Sequence, residues 1–298
     1  MTTRQRSSPA HAVISPRRQR GMALVVVLWL VVLLGVMAAG HTRATRTDTL
    51  LAARQLEFTR ARALAEAGIN HVILELLSDA RDTARPLDGS VFAFDIEGRT
   101  VEAAIRDARG LVDLNSASAT LLDATLRACG ASQQEAVELT DAILDWRDTD
   151  NLAHLNGVED SGYRAAGLSW GSRDGPFESV DELRYLPGMR QDLFERVAAF
   201  VTVHSGHGGI RLEYAPPLLV TALDGDSDAN TASGTGRARS GRHNGTFHIY
   251  ASASGANGTV AAIEAVVTIS SAAATPYSVL DWREPPWAEF PPRTGDGS

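Results

Sequence analysis

The stretch that most constrains this chain is RRQRGMALVVVLWLVVLLGVMAA, from Arg17 to Ala39. Three arginines and a glutamine lead into Gly21. From there to Gly40 no side chain carries a charge. A bilayer core of about 30 Å takes about 20 apolar residues as a helix, and this run has that length. Arginine costs roughly 2.5–3.5 kcal/mol at mid-membrane, so the Arg cluster belongs on the cytoplasmic face. A single inside-to-outside span would place everything after it outside the cytoplasm. Two other readings exist for the run alone. A cleaved secretory signal has small residues available at Val36-Met37-Ala38 or Met37-Ala38-Ala39, but its apolar core is usually about 7–15 residues. A plain membrane anchor fits the same residues.

Charge is segregated along the chain. Residues 1–46 hold seven arginines and no acid, which leaves 21 arginines against all 36 acids in the rest, a net of −15. Backbone binding to nucleic acid is driven by basic patches, so an acidic body argues for cations or basic surfaces as partners. One cysteine, Cys129, excludes an intramolecular disulfide and reads as a buried inert thiol. Catalytic signatures are missing: there is no Gly-x-Ser-x-Gly elbow, His-Glu-x-x-His, phosphate loop or Cys-x-x-Cys. The chain reads as a non-enzyme.

Helical spacing continues from Leu50 to Leu77, with Leu56, Ala63, Leu64, Ala67, Val72, Ile73, Leu76 and Leu77 as the apolar positions. A helix from Met22 to about Ser78 would be roughly 85 Å long. Gly68 would weaken it by about 1 kcal/mol relative to Ala, and Arg85-Pro86 ends it at the latest. Val91–Ile96 and Thr100–Arg106 alternate as a hairpin around Glu97-Gly98-Arg99. Residues 111–203 read as all-helical. Asn115 is the expected first cap, Gly130-Ala131-Ser132 a break, and Gln133–Trp146 a second helix. A loop follows to Pro176. Ser179 and Glu182 form a capping-box pattern, Leu186-Pro187-Gly188-Met189 is a turn, and Asp192–Thr202 is the last helix. Strands are expected at Leu218–Ala222, Thr246–Ala253 and Val260–Ser270, with a Gly- and Asp-rich loop at Asp224–Gly245.

The densest polar cluster is DWRDTDNLAHLNGVEDSGY, residues 145–163. Asp145, Asp148, Asp150, Glu159 and Asp160 place five carboxylates within sixteen residues. Like charges about 4 Å apart cost about 4 kcal/mol at a surface-like dielectric. A compact loop therefore calls for a counter-charge, and a hard divalent cation with oxygen ligands supplies one. The EF-hand template fails, because the fifth and sixth positions from Asp148 are Leu152 and Ala153. A solvated acidic loop with ion pairs to Arg147 or Arg164 remains the alternative on residues alone. Asp224, Asp226 and Asp228 read as a solvated loop.

The Gly21-Met22 junction, the apolar helix and the loop together resemble a known family. Gly-Met ahead of an apolar run is similar to the leader site of type IV pilin-like proteins, where a prepilin peptidase cuts after the glycine. Most such proteins carry a glutamate as fifth mature residue; here that position is Val26. That departure, the sequence Asp-Trp-x-Asp-x-Asp…Gly-x-Glu-Asp, and Tyr277–Glu284 near the end resemble the K subunit of type II secretion systems. The resemblance covers about residues 17–284. It implies an α+β fold, with a long N-terminal helix packed on a small antiparallel sheet. A helical domain, SAM-like or helix-hairpin-helix-like, would interrupt that sheet.

The implied layout is a cytoplasmic leader at 1–21, a membrane part at 22–40 and a periplasmic spine at 41–79. A hairpin at 80–110, the helical domain at 111–203, further strands at 204–284 and a tail at 285–298 complete it. The implied role is a minor pseudopilin at the pseudopilus tip, needed to assemble the filament and export folded proteins, with the body in the periplasm of a single-pass inner-membrane protein. Implied partners are the I- and J-type and the H-type minor pseudopilins, the prepilin peptidase, the assembly platform and the secreted substrates, with no nucleic acid. Calcium is implied at Asp145, Asp148, Asp150, Glu159 and Asp160. A minor pilin of a type IV pilus and a membrane-anchored helix-hairpin-helix DNA-binding protein are the alternatives. Residues 109–203 carry 16 acids against 8 arginines, which weighs against DNA.

Overall fold

The computed structural model describes residues 22–78, 85–223, 244–256, 258–270 and 274–284, with side chains of 38–49 left out. Gly21, the Asp224–Asp228 acids, most of the Asp224–Gly245 loop and the tail after Glu284 lie outside the described residues. The chain forms two compact units, Met1–Gln55 and Leu56–Ser298.

In the first unit, helix α1 (Met22–Leu77) begins with exposed apolar side chains such as Leu24, Trp29 and Leu33. Among the described residues no helix is long and apolar enough to cross a membrane; the described side chains of the apolar run end at Met37.

In the second unit the rest of α1 buries Ala61, Ala65, Ile69, Val72, Ile73 and Leu76. This stripe is shifted from the expected one: Leu56 and Ala63 are exposed and small residues face inward. The reason is close approach. A Cβ at Gly68 would lie 2.8 Å from Val101 and 3.2 Å from Ala251, so glycine lets the helix seat on the sheet.

That sheet runs in the order β1 (Asp88–Ile96), β2 (Arg99–Asp107), β5 (Gly245–Ser254), β6 (Val260–Ile269) and β7 (Tyr277–Arg283), all antiparallel. Val101, Ala103 and Ile105 alternate toward α1, as do Phe247, Ile249 and Ala251 on β5. The hairpin turn is tighter than expected. Ile96 pairs with Arg99 across Glu97 and Gly98, which take φ 52° and 77°. Both central residues at positive φ make this the turn that matches strand twist.

The described residues from 108 to 223 leave the sheet after β2, and β5 pairs directly beside β2. Helix α2 (Ala119–Ala128) is capped by Ser118, whereas Asn115 instead exchanges hydrogen bonds with the Phe177 backbone (2.7 and 3.0 Å). Helix α3 (Gln133–Arg147) has a capping box from Ser132 and Glu135. The expected loop contains a short helix α4 (Asp160–Ala165), and the Ser179–Glu182 box opens a 3-10 turn (Val180–Tyr185).

Helix α5 stops at Val197 (Gln191–Val197). The segment is not all helix: β4 (Val201–Thr202) pairs in parallel with β3 (Val112–Asp113) and ties its two ends together. The strand expected at Leu218–Ala222 is helix α6 (Pro217–Leu223). Proline suits a first helical position, and Leu219 and Leu223, one turn apart, enter the core of α2 and α3. A short apolar run such as Leu218-Leu219-Val220 is ambiguous between strand and helix until a neighbour is known.

Candidate metal centre

The last turn of α3 carries Asp145 and Trp146 inward. Trp146 donates from its indole N–H to Glu182 Oε2 (3.1 Å) and packs near Tyr163, Phe177 and Tyr185, with ring centroids 5.8–6.3 Å away. This aromatic cluster fixes the base of the loop. Asp145 is fully buried. Its Oδ1 accepts from the His154 backbone N–H (3.0 Å) and faces His154 Nδ1, while its Oδ2 has no partner. A Cβ at Gly157 would fall 1.9 Å from that Oδ2, so only glycine lets the loop backbone pass so close.

Asp148 ends α3 and accepts from Asp150 N–H (3.3 Å); Asp150 in turn accepts from Leu152 N–H (2.9 Å) on the exposed side. Glu159 precedes α4 and is buried, with neither carboxylate oxygen hydrogen-bonded. Its pKa is pushed up to about 7, first by burial and then by the charges of Asp145, Asp148, Asp174 and Asp150. Tyr163 leaves its buried hydroxyl unpartnered next to the same carboxylates, and burial raises its pKa. Asp160 is not part of this convergence. It accepts from Arg164 (2.8 Å) and its Oδ1 lies against Gly171.

The loop's cations are used elsewhere. Arg147 turns back to the carbonyls of Leu114 (2.6 Å) and Ala117 (2.9 Å). Arg164 serves Asp160, and Arg173 serves Glu178 and Glu182. His154 faces Asp145, and that hydrogen bond raises its pKa. Among the described residues, ligand atoms of Asp145, Asp148 and His154 lie within 4.8 Å of one another. Three buried carboxylate oxygens without donors, beside that group, are a hard-ligand set that a divalent cation fits. His154 and Asp174 were not among the sequence-derived candidates. A histidine nine positions after Asp145 was the available signal for the first. Nothing in the spacing marked Asp174.

Residues 103–206, which contain this loop, match the family model for type II secretion system (T2SS), protein K. Over those residues the chain is similar to type II secretion protein K. It is 28% identical over 214 residues to type II secretion system protein K of Pectobacterium carotovorum, covering 62% of each chain. It is 29% identical over 217 residues to the protein K of Aeromonas hydrophila, covering 63% of this chain and 64% of that one. Against Klebsiella pneumoniae protein K the figures are 28% over 203 residues and 62% of each. The matches thus span less than two thirds of these relatives' length. A chain in the crystal structure of the GspK–GspI–GspJ complex from enterotoxigenic Escherichia coli superposes with a TM-score of 0.52. That match covers 81% of this chain and 99% of the other, at 16% identity, and shows a shared fold of mixed helix and antiparallel sheet.

Proposed function

We propose that this chain is a minor pseudopilin of a type II secretion system, acting by assembly rather than catalysis. The match of residues 103–206 to the protein K model carries the reading. In this reading α1 is the pilin-like spine, and the segment between β2 and β5 is a helical domain set into the pilin sheet. Supporting this are the helix seated on the antiparallel sheet and the direct pairing of β2 with β5 across that segment.

Prepilin peptidase would cut between Gly21 and Met22 on the cytoplasmic face. The charge-free run after it would hold the chain in the inner membrane by a single pass, with the body in the periplasm. Val26, a neutral side chain at the position usually held by glutamate, suits a subunit at the filament tip with no neighbour above. The structural neighbour comes from a complex of GspK with GspI and GspJ. By analogy, I- and J-type minor pseudopilins would be the subunits this chain packs with, and an H-type subunit would come next. The assembly platform and secreted substrates complete the partner set.

Calcium would be held by Asp145, Asp148 and Glu159, with Asp150 at the rim. Bound there, the ion supplies the positive charge that the loop's arginines do not. A DNA-binding role is disfavoured. Each of the eight arginines in 109–203 already serves a carboxylate or a carbonyl, as Arg127 does Asp123, Arg190 does Glu135 and Arg196 the Cys129 carbonyl.

The test is deletion of the gene in its own bacterium, followed by assay of folded exoproteins in the medium and of co-purifying pseudopilins. Loss of secretion, restored by the wild-type chain and not by Gly21→Glu, is expected. Normal secretion in the deletion strain would overturn the assignment.

A further inference from the structure

The loop holds a donor that an oxygen-only calcium site would not require. His154 is half-exposed at its side chain, yet its backbone N–H is pinned to Asp145 Oδ1 (3.0 Å). That bond folds the imidazole over the Asp145 carboxylate. Its ring nitrogen then joins Asp145 and Asp148 in one group with ligand atoms within 4.8 Å. Donors about 2.0–2.6 Å from a shared ion can have that separation. The Oδ2 of Asp145 and both oxygens of Glu159 are buried without a hydrogen-bond partner, and a positive ligand beside them would satisfy them. A simple ion pair between His154 and Asp145 would satisfy Oδ1 alone and leave those three oxygens buried and bare.

We propose that His154 is a direct ligand of the loop cation and makes the site a mixed nitrogen–oxygen one that takes a zinc-class ion in competition with calcium. This rests on the metal reading of the loop given above. Imidazole suits borderline metals, whereas calcium prefers oxygen. His154 therefore sets the selectivity of the site more than its existence.

The test uses the full chain in detergent, with zinc and calcium as the probes. Calorimetric titrations are run on wild type and His154→Gln. One zinc equivalent is expected to be displaced by calcium in the wild type. In His154→Gln the affinity for that equivalent should fall at least tenfold, and by more than any change in calcium affinity. X-ray absorption of the wild type loaded with one zinc equivalent gives a readout independent of the variant, and imidazole scattering with a Zn–N distance of about 2.0–2.1 Å is expected. Equal zinc affinity in both proteins, or a zinc shell without imidazole, would overturn the proposal and leave a calcium site intact. Absence of binding by either metal would overturn the loop reading itself.

Discussion

Two buried glutamates in this molecule meet opposite fates. Glu264, on β6, is almost fully buried on the sheet face away from α1. Burial alone would raise its pKa. Hydrogen bonds from His248 (3.4 Å) and Arg283 outweigh that and hold it at about 2. Glu159, at the loop, is buried to a similar degree, and burial plus four neighbouring aspartates push it to about 7. The difference lies in the partners. Strand β7 brings Arg283 across to Glu264, and Thr202 of β4 holds the far side of His248 (3.1 Å). Around Glu159 the arginines are all engaged elsewhere. Glu159 is left with neither a donor nor a counter-charge from the described side chains, and the calcium proposed above would supply that charge.

Acid should separate the two sites most. Glu264 falls from its ordinary value of 4.5 to about 2 in the folded state, so its contribution is complete above pH 4.5 and lost as pH drops toward 2. A shift of that size corresponds to about 3 kcal/mol. Thermal unfolding of wild type and Glu264→Gln between pH 6 and 2.5 should show the wild type losing that much more. Parallel curves would mean that His248 and Arg283 do not stabilise the charge.

Calcium should act at the other site alone. At one hundred times its dissociation constant, a cation that binds only the folded chain adds about 2.7 kcal/mol. At roughly 2–4 °C per kcal/mol, Tm should rise by about 5–10 °C. Glu159→Gln or Gly157→Ala should remove the rise, and Glu264→Gln should keep it. An undiminished rise in Gly157→Ala would break the assignment of Asp145 as the centre of the site.

A smaller effect is expected from Arg283→Ala. Breaking a fully buried pair costs about 3–5 kcal/mol. Half of the Arg283 side chain is exposed and His248 remains, so about 2 kcal/mol at pH 7 is expected by chemical denaturation. The smallest change is a control remote from both carboxylates. Glu97 sits at φ 52° in the hairpin turn, a backbone region that asparagine adopts more readily. Glu97→Asn should stabilise the chain by less than about 1 kcal/mol, with the calcium response untouched.

Much of this was legible along the chain. Alternation located β2, β5 and β6 to within a residue or two, because a half-buried strand repeats every second side chain. The Ser179–Glu182 box marked a real start, because a cap is a local exchange of hydrogen bonds. The acidic loop declared itself by charge density. Less legible were Asn115, drawn off by Phe177 sixty-two residues away, and Leu218–Ala222, whose form was decided by α2.

The sequence by itself determined the apolar run, the acidic body, the alternation of β2, β5 and β6 and the Ser179 cap, since each depends on neighbours a few residues apart. Only the tertiary structure decided which acids lack a full set of partners. Asp145 and Glu159 read alike with Asp160 in the chain, yet Arg164 reaches Asp160 while Asp145 Oδ2 and both Glu159 oxygens stay bare. Whether a buried charge is compensated depends on which distant side chains the fold brings within about 4 Å, and local sequence does not encode that distance.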